Sequence, residues 1–68
     1  MADISKFVDK AFEDKSFAEL ADAPVDALQG VSAADAAALR SALNIKTVRD
    51  LANNKFVAWA QAIVALSK

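Results

Sequence analysis

The sequence predicts an all-α protein, a compact bundle of about five short helices arranged around a central pair joined by a tight hairpin. Three observations carry this expectation. Apolar residues recur at the i, i+3, i+4 spacing of a helix. Helix starts of the form Ser/Thr-x-x-Asp/Glu occur three times, at Ser16, Ser32 and Thr47. The single proline and single glycine, Pro24 and Gly30, bracket one short segment where a helix would begin and end.

Sixty-eight residues suffice for one unit, 1–68, and no repeat, linker or shift in composition divides it. Alanine accounts for 17 of the 38 apolar residues, which leaves 21 large side chains to build a core. A domain of this size buries roughly 60% of its unfolded surface, and a total stability of about 3–10 kcal/mol follows. The absence of cysteine and histidine excludes disulfides and thiol chemistry and removes the commonest soft metal ligands, so neither metal nor cofactor is expected. Eight basic against nine acidic residues leave a net charge of −1, without the positive field of a dedicated nucleic-acid binder. No basic-then-apolar leader opens the chain, and its longest uncharged run is about half the ~20 residues that span a bilayer. A soluble cytoplasmic protein that stays off the membrane is the expectation.

The elements follow in order. Asp3 is placed to cap a first helix with the stripe Ile4, Phe7, Val8, Ala11 and Phe12, leaving Lys6, Asp9, Lys10, Glu13 and Asp14 as a solvated face. Ser16 and Glu19 form a capping box for one or two turns containing Phe17 and Leu20. Pro24 suits the first position of a short helix over 24–29, capped by Asp22 or Ala23, with Val25 and Leu28 inward. Gly30 then turns the chain with positive φ, and Val31 plugs the apex. The next helix, 33–43, should bury Ala36, Leu39 and Leu43 while Asp35 and Arg40 face water, and Asn44 should end it in the left-handed region. Thr47 starts a short helix over 48–52, and Asn53 or Asn54 caps a last one over 55–67.

That last helix has no charge between Lys55 and Lys68. Phe56, Trp59, Ala60, Ile63, Val64 and Leu66 cover about half its wheel, and most of the remainder is alanine. Two arrangements fit. Either it is the central helix of the bundle, or Ala58, Ala62 and Ala65, with Gln61 at the rim, meet a second copy of the chain. Trp59 reads as a core residue, because Ile63 and Leu66 lie at i+4 and i+7 from it.

The run Leu28-Gln29-Gly30-Val31-Ser32, followed by Ala36, Leu39, Ile45, Thr47-Val48 and Asp50-Leu51, resembles the helix-hairpin-helix family. The resemblance covers residues 22–51. It implies two short helices joined by an h-x-G-h-G turn, and in members that bind DNA the hairpin's backbone N–H groups meet a phosphate. Here those donors would belong to Gly30, Ser32, Ala33 and Ala34, with Arg40, Lys46 and Arg49 as the local positive charge. Ser32 stands where the family has its second glycine, and Asn44 where a glycine commonly precedes the isoleucine.

Catalysis has no visible apparatus. Ser16 and Ser32 are explained as caps, with no histidine to activate them, and the carboxylate pairs Asp22/Asp26 and Glu13/Asp14 fall on polar surface. The expectation is a non-enzymatic helical binding module, partnered by another protein or by itself. The alternative is weak, sequence-independent DNA binding through the hairpin amides.

Overall fold

Capping chemistry sets where the helices begin. Ser16 Oγ accepts from the Glu19 amide at 3.1 Å, and the Glu19 carboxylate accepts from the Ser16 amide at 2.9 Å. Ser32 and Asp35 repeat the reciprocal pair at 3.0 and 3.1 Å. At the third start Thr47 Oγ1 accepts from the Asp50 amide at 3.0 Å, while Asp50 Oδ2 accepts from the amides of both Lys46 and Thr47. Each such cap contributes about 1 kcal/mol, a real share of so small a total.

The computed structural model describes residues 5–68. Four α-helices follow these caps: α1 (Phe17–Ala21), α2 (Ala33–Leu43), α3 (Val48–Asn53) and α4 (Lys55–Leu66). Three single 3-10 turns, Ser5–Phe7, Lys10–Phe12 and Val25–Ala27, complete the regular structure, and no strand occurs among the described residues. Asn44 ends α2 at φ 57°, ψ 33°. The Asn44 amide donates to the Arg40 carbonyl at 3.0 Å, the single closing bond of an αL helix end, and the Ile45 amide reaches back to the Leu39 carbonyl at 3.3 Å. Gly30 adopts φ 95°, a conformation that L side chains rarely take.

The segment that holds the fold together is 23–29, a single 3-10 turn flanked by extended Pro24 and Leu28. Its Ala23 carbonyl accepts from the Val48 amide and its Val25 amide donates to the Lys46 carbonyl, both at 3.0 Å. On its other side the Asp9 amide donates to the Ala27 carbonyl at 2.7 Å, and the Gln29 amide donates to the Phe7 carbonyl at 2.8 Å. These bonds make two isolated antiparallel bridges, Pro24 with Thr47 and Val8 with Leu28. The flanking residues carry the bonds at the first bridge, so the missing N–H of Pro24 is no loss there. Ala23, Val25 and Ala27 all point inward, joining Val8, Leu20 and Ile45 in the core.

Several expectations are corrected by this arrangement. The first helix breaks into two 3-10 turns because the Phe7 carbonyl and Asp9 amide are spent on the 23–29 segment instead of on a helical ladder. Its Asp3 and Ile4 lie outside the described residues. The 24–29 helix shrinks to one 3-10 turn, with Pro24 extended (φ −56°, ψ 148°) just before it. Leu43 is exposed rather than buried, and Ala36 and Leu39 are only half-buried. The last helix is not central. Among the residues of α4 only Val57 is as much as half-buried, and Trp59, expected in the core, is 58% exposed.

Candidate interaction surface

Asn54 closes α3 with its backbone amide, which donates to the Leu51 carbonyl, and opens α4 with its side chain, whose Oδ1 accepts from the amides of Phe56 at 3.0 Å and Val57 at 3.1 Å. The backbone turns there at φ −65°, ψ 125°, so α4 leaves α3 at a one-residue corner. Val57 faces the domain, and the rest of α4 is exposed. At 100° per residue Phe56, Trp59, Ile63 and Leu66 fall within one 80° arc, well away from Val57. All four are more than half exposed, Leu66 at 85%. The rings of Phe56 and Trp59 meet edge to face, 5.7 Å between centroids at 79°. Lys55 Nζ lies 5.3 Å from the first ring centroid and 5.9 Å from the second. This is an ordered aromatic surface on the outside of the molecule.

The alanine side of α4 is exposed as well. Gln61 and Ala65 line a shallow depression of 410 Å³ with Ala60, Val64 and Lys68, whereas Ala58 and Ala62 lie outside it.

A second apolar surface lies on the other side of the 23–29 segment. Phe7 and Phe17, both exposed, rim a 280 Å³ groove floored by Val8, Leu20, Ala27 and Leu28. In the sequence Phe7 belongs to a continuous helical stripe, and only the pairing of 7–9 with 27–29 turns it toward Phe17's side of the core. No local pattern in the sequence signals it, because the bonds that turn Phe7 join residues about twenty positions apart.

The hairpin residues are brought together in part. Ala33, Arg40 and Lys46 line one 330 Å³ groove, shared with Pro24 and Asp26. Arg49 is elsewhere engaged, its Nε donating to Asp22 Oδ1 at 2.9 Å. That ion pair holds the Asp22 carboxyl below its usual range. The Ser32 amide is taken by the Asp35 carboxylate, and Gly30 and Ala34 stand exposed outside the groove. Among the described residues no three carboxylates gather where a metal ion could sit.

Set against family models, curated proteins and solved structures, the chain matches none of them. No helix among the described residues is long and apolar enough to cross a membrane.

Proposed function

We propose that this domain is a non-enzymatic protein-interaction module whose working surface is the outer face of α4. One observation supports the reading above the others: among the described residues eight large apolar side chains lie exposed, five of them on α4, while the core contains six residues, two of them alanine. The chain exposes 5179 Å², where a monomer of its mass would expose about 4,100 Å². Its radius of gyration, 12.9 Å, likewise exceeds the ~11 Å of a close-packed chain of this length. Side chains of this kind left in water do little for the fold, and a concentrated patch of them marks a place where another protein docks.

The test is whether the patch is dispensable for folding. Trp59→Gln combined with Leu66→Gln, studied at low micromolar concentration, should leave the urea midpoint within ~0.5 kcal/mol of the parent. A loss of about 2–5 kcal/mol, as expected of core truncation, would overturn the reading.

DNA binding through the hairpin is the second reading, favoured by the shared position of Arg40, Lys46 and the first residue of α2 on one groove. It ranks below the first because Asp26 lies in the same groove, Arg49 is paired with Asp22, and Asp35 occupies the Ser32 amide. Two cations provide too few phosphate contacts for useful affinity at physiological salt.

A further inference from the structure

We infer that the partner of the α4 face is a second copy of this chain, docked antiparallel along the seam Phe56, Trp59, Ile63 and Leu66. This rests on the interaction reading above and names its partner.

The spacing of the four residues is three, four and three, the a/d pattern of a coiled-coil seam. Ala60 and Ala62 occupy flanking positions and let a second helix approach closely. Within the seam and its flanks the only charge is Lys55, at one end, so pairing two copies buries no carboxylate and no second cation. Lys55 also decides the direction. A parallel pair would bring two Lys55 ammonium groups together beside two positive helix N-termini. The antiparallel pair separates them by roughly 18 Å, the length of a 12-residue helix, and sets each beside the carbonyl end of the partner's α4, where Lys68 lies on the side away from the seam with Gln61, Val64 and Ala65. Size matching agrees. Centred between Trp59 and Ile63, the antiparallel register places Phe56 opposite Leu66 of the partner and Trp59 opposite its Ile63, large against medium in every layer. In the parallel register Trp59 would face Trp59.

The area is sufficient. Exposed at 53%, 58%, 68% and 85%, the four side chains offer roughly 500 Å² per chain, so a pair that covered them fully would bury about 1,000 Å², the floor for a specific interface. The surplus of about 1,000 Å² per chain over the monomer scaling leaves room for the flanks to add to it. An interface of that size is weak and concentration-dependent.

Trp59, the single tryptophan, is the probe. Sedimentation velocity and tryptophan emission over roughly 5 to 500 µM should show one chain becoming two, with the emission moving to the blue as the indole leaves water. Ile63→Glu would set a carboxylate against the partner's indole, and it should remain one chain throughout with its helical dichroism intact. Equal mixtures of Phe56→Cys and Leu66→Cys chains, in a sequence with no other cysteine, should oxidise mainly to the mixed 56–66 disulfide. Parental protein that stays one chain at the highest concentration, with emission unmoved, overturns the second-copy inference and leaves the interaction reading standing provided Ile63→Glu folds. Unfolding of Ile63→Glu overturns both. Predominant 56–56 and 66–66 disulfides overturn the antiparallel geometry.

Discussion

Ile45 and Ile63 are the same residue in opposite environments, 1% and 68% exposed, and truncating each to alanine measures where this fold is held. Removing three carbons from a fully buried isoleucine forfeits roughly 2.4 kcal/mol of transfer free energy at ~0.8 kcal/mol per methylene, and the cavity left behind raises the cost. Ile45 is held in place by its own amide's bond to the Leu39 carbonyl and by the bond from the Val25 amide to the carbonyl of its neighbour Lys46, so the site has little freedom to collapse. Ile45→Ala should therefore lose about 3–4 kcal/mol, enough to leave much of the chain unfolded at 25 °C if the total is ~3–10 kcal/mol. Ile63 has about a third of its surface covered, and the same substitution should cost under ~0.8 kcal/mol in the isolated chain. Urea unfolding of both variants, followed by far-ultraviolet dichroism at low micromolar concentration, is the assay. Equal losses, or a loss below ~1 kcal/mol at Ile45, would refute the placement of the core around 23–29 and Ile45. Repeating the pair at high concentration should widen only the Ile63 loss, since association stabilises whichever state binds.

Gly30→Val should cost about 1–3 kcal/mol from backbone strain alone, because no atom lies within 4 Å of the added Cβ, and a midpoint within ~0.3 kcal/mol of the parent would contradict the φ of 95°. Acid should weaken the fold. Backbone amides of Lys46 and Thr47 hold the Asp50 carboxyl below its ordinary value, Arg49 does so for Asp22, and the Ser16 cap does so for Glu19. Groups whose folded pKa is depressed stabilise above their unfolded values of about 3.9–4.3, and that contribution is lost as pH falls through the lower folded values. Thermal melts should thus shift downward below about pH 4, and Asp50→Asn should flatten the dependence. Duplex DNA, titrated by fluorescence anisotropy, should bind weakly at low salt and not measurably at physiological salt; retention there that Lys46→Glu abolishes would promote the DNA reading over the protein one.

The helix starts were legible because capping is local. Ser16, Ser32, Thr47 and Asn54 each satisfy amides within three residues of themselves, so the sequence neighbourhood contains the whole interaction. Gly30 and Asn44 were legible for a similar reason, positive φ being a property of one residue and its immediate turn. Helical periodicity misled where the backbone had a better partner far away. Residues 4–12 hold a clean helical stripe, yet the amide of Asp9 and the carbonyl of Phe7 bond to 27–29, about twenty residues on, and no local pattern announces that. The last helix shows the converse. Its Phe56, Trp59, Ile63 and Leu66 stripe was visible in the sequence, but a stripe says only that a face will be covered, not by what. Tertiary structure decided that none of the described residues covers it, because a one-residue corner at Asn54 points α4 away from a core already closed by Val8, Leu20, Val25 and Ile45.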